Sequence, residues 1–424
     1  MMDDKLTLQM RDYSYRTVGP VVYAYAEWIV SEAVRRGLGR VYFLARDGYL
    51  PCEAARMICS ARGIALECRY LYCSRSSLRM PTYSISRDEA RRHLFSGGYR
   101  VSAQSILARA GFSDSQANEI FKRLNITEFE KTLDKAEQKH IFEVLDKDAR
   151  FWEYVTDISK NAYGTAISYL REQGVLDLGA VAIADSGWTG SMQRSLRILL
   201  RSAGYEGHIT GFYFGLYATP SDLLDGEYLA YYFDARRGFM RRTLFSNNLF
   251  ECMLSAPHPT TVGYSFSQGN VTPVFGRPYP PDMLALIKAQ ISGAIAFCME
   301  ENKNSETKNV AESKRRCFKI LRRAMILPTL SEARMYSHFL FCDDVSESYM
   351  LPLADADSPS DIRARLLLPR LLSKLSGRGA SRGRDSFWIY GSIAFMRGFR
   401  KFWYLFNALL WDILRSLRDG MRRK

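Results

Sequence analysis

Residues 181–196 read VAIADSGWTGSMQRSL, and residues 41–51 read VYFLARDGYLP. Each begins with a short continuous apolar run, breaks at a polar turn containing glycine, and passes into apolar residues at helical spacing. Such runs suit strands buried on both faces of a parallel sheet, with helices crossing between them. The two stretches predict strands at Val41–Ala45 and Ala180–Ala184, a helix with Pro51 in its first turn, and an amphipathic helix over Ser191–Ser202. Working outward, an apolar helix covers Val21–Arg36, a second strand follows at Arg69–Cys73, and an aromatic-rich strand runs His208–Tyr217. Tyr228–Asp234 and Thr261–Phe266 read as edge strands. The fold class is α/β.

The core is split along the chain. Residues 15–86 carry its first part and 173–275 its second. Between them, 87–172 are polar and helix-prone without convincing strands, the pattern of a helical insertion or cap. Residues 276–353 are helical again, 354–385 form a linker containing ADADSPSD and SGRGASRGRD, and 386–424 are a basic, aromatic tail. No repeat is visible.

Composition narrows the function classes. The chain has 424 residues, a length for roughly two or three domains, and its 47% hydrophobic and 25% charged residues exclude a disordered or fibrous protein. The net charge is +14, but thirteen Lys/Arg against three Asp put +10 of it between Arg370 and Lys424, leaving a nearly neutral body. Nucleic-acid binding asks for a basic stripe on the body, so the charge argues against that partner. The tail interrupts its apolar surface with Arg397, Arg400 and Lys401. A transmembrane helix bears such a cluster badly, whereas a helix in the membrane interface sets its aromatics in lipid and its arginines against anionic headgroups. The expectation is a cytoplasmic protein held peripherally on the inner face of the plasma membrane; a helical hairpin packed on the body is the alternative. The opening MMDDKLTLQMRDYSYRTVGP lacks the pattern of a secretory signal. Eight cysteines without a CxxC pair and five histidines give no structural zinc pattern, and reduced thiols in a cytosol are the simplest reading.

In open α/β sheets, ligands bind beyond the carboxyl ends of the strands, where turns and helix N-termini meet. The turn after the 180–184 strand offers Asp185, Ser186, Gly187, Trp188, Thr189, Gly190 and Ser191. Small residues let backbone close around an anion, and exposed N–H groups at a helix start and nearby hydroxyls donate to it, so a phosphate fits. The same pattern also serves an ordinary strand–turn–helix capped by Thr or Ser. At the earlier turn, Arg46 suits bidentate phosphate binding, Asp47 suits a Mg²⁺ that bridges phosphate oxygens, and Gly48 lets backbone approach a ligand. Ser74, Arg75, Ser76 and Arg79 follow the next strand. This inventory of Arg, Asp, hydroxyl and Gly fits a phosphorylated or diphosphorylated sugar better than acyl or peptide chemistry.

DSGWTGS at 185–191 resembles the phosphoribosyl diphosphate loop of type I phosphoribosyltransferases, and LARDG at 44–48 resembles that fold's pyrophosphate loop. With GP at 19–20, FLARDG, YLYCSRSSL, DSGWTGSMQ and FECMLSAPHP, the chain over roughly 15–270 is similar to the polysaccharide phosphoribosyltransferase module of bacterial surface-glycan (O-antigen and capsule) clusters, often labelled HAD-like and paired with a HAD-type phosphatase. The resemblance implies a phosphoribosyltransferase-like parallel sheet with a helical insertion. It implies transfer of 5-phosphoribofuranose from phosphoribosyl diphosphate to a hydroxyl of a lipid-linked glycan, with Mg²⁺, inversion and pyrophosphate release, and a phosphatase acting on the product. Two departures stand out. Ala184 occupies the place of the first acid of the family's pair, leaving Asp185, and Trp188 stands where some purine-salvage members carry an acidic base. The base that deprotonates a sugar hydroxyl is then sought at Asp47 or at Glu251, which lies in an apolar stretch with His258 nearby. A carboxylate among apolar residues gains a raised pKa suited to proton transfer; a buried structural hydrogen bond between Glu251 and His258 is the plain alternative.

Two other classes compete. A HAD-type phosphohydrolase needs Asp-x-Asp at a strand end, but Asp185 is followed two residues later by Gly187, and the pairs Asp146/Asp148 and Asp355/Asp357 follow no hydrophobic strand. A non-enzymatic adaptor for nucleic acid or membrane would use the tail alone.

Overall fold

The computed structural model describes residues 4–98, 100–177, 179–219, 226–303, 309–345, 347, 349–356 and 386–421. At its centre is a five-stranded sheet ordered β2-β1-β3-β4-β5, with β1 at Arg40–Leu44, β2 at Glu67–Leu71, β3 at Ala180–Trp188, β4 at His208–Leu216 and β5 at Gly226–Phe233. All four pairings are parallel. The α/β reading holds, and Tyr228–Asp234 falls on the edge strand β5 as expected. The chain moves outward from β1 to β2, then returns past β1 to lay β3 on its other side. That reversal makes the gap between the carboxyl ends of β1 and β3 a topological switch point, where a crevice opens.

Alternation along the strands feeds two cores. Val41, Phe43, Ala182, Ala184, Phe212 and Phe214 face one layer, which includes α1 (Asp4–Arg16), α2 (Val18–Arg35) and α3 (Tyr49–Arg62). Tyr42, Leu44, Val181, Ile183 and Ile209 face the other. The region between β2 and β3 holds α4 (Arg75–Arg79), α5 (Arg87–Leu94), α6 (Ala103–Arg109), α7 (Asp114–Arg123), α8 (Lys135–Lys147) and α9 (Ala149–Glu172). The expected helical insertion is present and has its own small core around Leu107, Ile120, Leu145 and Phe151. The end of α9 belongs to the sheet, since Ala166, Ile167, Tyr169 and Leu170 pack beneath β1 and β3. The helix after β3, α10, covers Ser191–Ser202 as expected.

Four expectations need correction. Strand β3 continues past Ala184 to Trp188, pairing Gly187 with Gly215 and Trp188 with Leu216. Gly187 allows this: its φ is 109°, and a Cβ there would meet the Gly215 carbonyl oxygen at 2.5 Å. The turn is therefore only Thr189-Gly190, shorter than the seven-residue loop read from sequence. Thr261–Phe266 is no edge of the main sheet; β6 (Thr261–Ser267) and β7 (Asn270–Phe275) form a separate antiparallel hairpin, anchored by Tyr264 stacked on Tyr169 at 4.3 Å.

The third concerns 276–353. Helices α11 (Phe239–Thr243) and α12 (Asn247–Met253) precede this region, and α13 (Pro281–Glu301), α14 (Val310–Ile326) and α15 (Leu330–Ser337) make most of it helical, but it ends in the short pair β8 (Leu340–Phe341) and β9 (Leu351–Pro352). The fourth concerns the tail. Helix α16 (Ile389–Ala394) is core, with Trp388 2% exposed and its indole N–H donating to the Met325 carbonyl at 2.8 Å. Only α17 (Phe399–Met421) is a surface helix. The linker reading for 354–385 falls largely outside the described residues. Among the described residues one helix, Pro281–Glu301, is long and apolar enough to cross a membrane, and it is packed in the body, where Gln290 bonds Ser14, Cys252 and Tyr336. No disulfide joins the described cysteines.

Candidate functional site

At the switch point lies a cavity of about 290 Å³. Ten of its lining residues come from the turn after β1, the segment after β2, and the last part of β3 with its turn: Arg46, Asp47, Ser74, Arg75, Ser76, Asp185, Ser186, Gly187, Trp188 and Thr189. Ser191 and Glu251 complete the residues expected from sequence. Thus residues spread over more than two hundred positions converge because three strand ends and α12 meet at one crevice.

Three expected residues do not line it. Gly48 caps α3 beneath the floor, and a Cβ there would meet the Leu44 carbonyl oxygen at 2.5 Å, so the glycine serves the chain's own turn and not a ligand. Gly190 is buried with φ 66° as the N-cap of α10. His258 points to Tyr70, 2.7 Å from its hydroxyl, and its other nitrogen lies 2.8 Å from the Pro259 carbonyl. It makes no hydrogen bond to Glu251, which instead accepts the Trp188 indole N–H at 2.7 Å. The Ala45–Arg46 peptide is cis.

The cavity has two electrostatic ends. One holds Asp47, Asp185 and Glu251. Asp47 accepts a hydrogen bond from Ser186, yet burial and the neighbouring Glu251 carboxylate push its carboxyl above the usual range, against the pull of Ser186, Arg46 and Arg75. Burial, then Asp47 and Glu251, push Asp185 up to about 8. Two neighbouring carboxyls with raised pKa values, Asp47 and Asp185, mark a place that gains from a bound cation or a transferred proton. Arg46 is steered by Tyr279, whose hydroxyl accepts from its Nη1 at 3.1 Å.

The other end is formed by Arg79 and the start of α10. Helix α10 has no side-chain cap, its N-cap being Gly190, so the Thr/Ser-capped alternative does not hold, and Ser191 and Met192 at its start line the crevice. Beside them Arg79 donates from Nη2 to Ser191 Oγ at 3.0 Å, while its buried Nε has no protein partner. Burial and the nearby Arg75 hold its pKa down, to about 10. A guanidinium whose buried Nε has no protein partner, beside a helix N-terminus without a side-chain cap, fits a phosphate.

Sequence reasoning missed the rim formed by Cys342, Asp344, Val345 and Glu347 and by Thr260. Thr260 donates to Glu347 at 2.5 Å, and Asp344 is held by Arg109 from the insertion. No local pattern marks these residues; only tertiary packing brings them over the site. The carboxylate end fits a hard cation held by Asp47 and Asp185 together with ligand phosphates: among the described residues no three acids or other donors group closely enough to cage a metal unaided. Neither a family model nor a curated protein matches this chain.

Proposed function

We propose that the protein is a phosphoribosyltransferase-type glycosyltransferase that moves 5-phosphoribofuranose from phosphoribosyl diphosphate to a hydroxyl of a lipid-linked glycan. The observation that carries this is the two-ended cavity: acids at one end, and at the other an arginine whose buried Nε has no protein partner beside a helix N-terminus without a side-chain cap. A donor with a metal-bound diphosphate on C1 and a phosphate on C5 has the matching polarity.

In this reading Thr189, Ser191, the start of α10 and Arg79 hold the 5-phosphate, while Arg46, Arg75, Ser74 and Ser76 hold the diphosphate. Asp47 and Asp185 would hold Mg²⁺, which when bound neutralises charge on the leaving diphosphate. The acceptor oxygen attacks C1 from the face opposite the diphosphate. The C1–O bond breaks and its electron pair leaves with pyrophosphate, while the hydroxyl proton passes to Glu251 or Asp47. Configuration inverts to a β-ribofuranosyl 5-phosphate, a product suited to a later HAD-type phosphatase. Positioning and electrostatics supply most of the rate.

A HAD-type phosphohydrolase is less well supported, because Asp148 of the Asp146/Asp148 pair caps α9 and binds Arg123, and Gly187 leaves Asp185 without an acid two residues on. Helix α17 supports attachment to an anionic membrane. Phe399, Phe402, Trp403, Phe406, Leu414 and Leu417 form an exposed stripe at helical spacing, with Arg397, Arg400 and Arg418 beside it, as an interfacial helix requires.

Incubation with phosphoribosyl diphosphate, Mg²⁺ and lipid-linked glycans tests the reaction. Pyrophosphate release that requires an acceptor is expected; no release with any acceptor from the protein's own gene cluster overturns it.

A further inference from the structure

A second cavity, of about 610 Å³, lies beside the first. Trp188 is the partition. Its indole lines the small cavity and packs on Phe245 and Tyr217, at 5.4 and 6.1 Å between ring centroids, and both of those rings line the large one. Helix α12 runs along both, presenting Asn247 and Asn248 to the large cavity and, one turn later, Glu251 to the small one. The facing wall is α17, through Trp411, Asp412, Arg415 and Ser416. At 3.6 residues per turn, Trp411 and Arg415 lie across α17 from Phe402 and Phe406, while Asp412 and Ser416 lie on the flank between them. The large cavity therefore stands between the carboxylates and the helix whose outer face carries the apolar stripe.

Its lining selects a ligand class. Sugar hydroxyls both donate and accept, as amide and hydroxyl side chains do. Asn247 uses Oδ1 to accept from Tyr217 at 2.8 Å, and Asn248 uses Nδ2 to donate to the Phe387 carbonyl at 3.1 Å, which leaves one donor amide and one acceptor oxygen for a guest. Trp411 and Tyr217 place aromatic rings on the wall, a residue type that combines an apolar body with a polar edge. Arg242, Arg415 and Asp412 put charges of both signs on the wall, Asp412 also accepting from the Tyr390 hydroxyl at 2.7 Å, unlike an all-basic phosphate site. The volume falls in the range of roughly 300–1,000 Å³ typical of small-molecule sites, enough for an oligosaccharide segment.

We propose that this cavity is the acceptor site: it binds the saccharide segment bearing the reactive hydroxyl and passes that hydroxyl by Trp188 to Glu251, which takes the proton. The assignment of the hydroxyl and its proton rests on the glycosyl-transfer reading above; the saccharide site itself stands on the cavity.

The test uses full-length protein labelled with 5-fluorotryptophan, with the Trp411 resonance assigned from Trp411→Phe. The probe is the oligosaccharide fraction released by mild acid from lipid-linked glycans of the producing cells. Saturable movement of the Trp411 resonance is expected, and its loss in Ser416→Trp, which fills the cavity from α17. In the transfer assay, Ser416→Trp and Asn247→Leu each raise KM for the oligosaccharide at least tenfold and leave KM for phosphoribosyl diphosphate within twofold, a control for folding. A Trp411 resonance unmoved at saturating probe overturns the site, as does unchanged oligosaccharide KM in both variants. Trp411 movement without any pyrophosphate release supports the saccharide site and sinks the transferase reading instead, so the two failures are distinct.

Discussion

Asp185 sits within the last half of β3, three residues before its end at Trp188, with its carboxyl pushed up to about 8 by burial and by the acids beside it. In the unfolded chain the same group titrates near about 3.9. Between these values the folded state binds the proton and the unfolded state does not, so stability falls as pH rises and the cost is complete only above the folded pKa. Asp185→Asn removes that cost. It should abolish transfer while stabilising the protein by about 1–2 kcal/mol at pH 8, within the usual span of single substitutions, and this gain should vanish towards pH 4. Thermal unfolding at both pH values checks it; a variant less stable than wild type at pH 8 would show the carboxylate to be a structural partner. Arg79 makes the opposite case with a cation. Its Nε is buried without a protein partner, so Arg79→Met should leave the melting temperature unchanged or higher. Affinity for phosphoribosyl diphosphate should drop at least tenfold, since a hydrogen bond to a charged group is worth about 1.5–3 kcal/mol. Calorimetric titration yields both numbers, and undiminished affinity would remove Arg79 from the phosphate end.

Elements differ in how much of their role is written locally. The buried strands were legible because VYFL and VAIA have no solvent-facing alternate, and a strand covered on both sides needs none. The continuation of β3 through Ser-Gly-Trp was not, since it depends on Gly187 meeting the Gly215 backbone across the sheet. Alternation marked Thr261–Phe266 as a strand but carried no information on which partner it takes. The SFWIYGSIAF segment looked like the start of a tail because its composition is close to that of α17; the Trp388–Met325 bond that buries it is a contact across 63 positions. Twelve of the fifteen site residues read from sequence line the cavity, while the rim from Cys342 to Glu347 has no local mark at all. For α17 the legible part is the outer stripe. Phe402 and Phe406 are 67% and 59% exposed, so the double variant Phe402→Asp/Phe406→Asp should change stability by no more than about 0.5 kcal/mol per site. Burying each Phe in an interface is worth about 1.5–3 kcal/mol, so flotation with phosphatidylglycerol vesicles should fall more than tenfold. Equal flotation of variant and wild type would assign the stripe to some other partner.

At the scale of the molecule, ion pairs join the helical insertion to the body: Glu89 of α5 with Arg194 of α10 and, buried at the rim of the candidate cavity, Arg109 with Asp344. Arg109, at the end of α6, donates from Nη2 and Nε to Asp344 Oδ2 at 2.5 and 3.0 Å and from Nη1 to the Leu94 and Ser96 carbonyls. Both side chains of the pair are about 95% or more buried. The insertion has a core of its own, so this pair is placed to fix where that core stands relative to the rim rather than to hold it folded. Buried pairs stabilise little as a whole, because desolvation offsets attraction, but removing one partner strands the other charge and costs about 3–5 kcal/mol. Asp344→Ala should therefore lose roughly that amount in urea unfolding, and KM for phosphoribosyl diphosphate should rise as the 342–347 rim shifts. Arg109→Met with Asp344→Leu should recover most of the stability without recovering KM, because it restores burial but not the rim's position. If the single variant costs less than about 1 kcal/mol, as an exposed pair would, the pair does not help to join the two parts. A double variant that restores KM as well would mean that packing alone sets the rim.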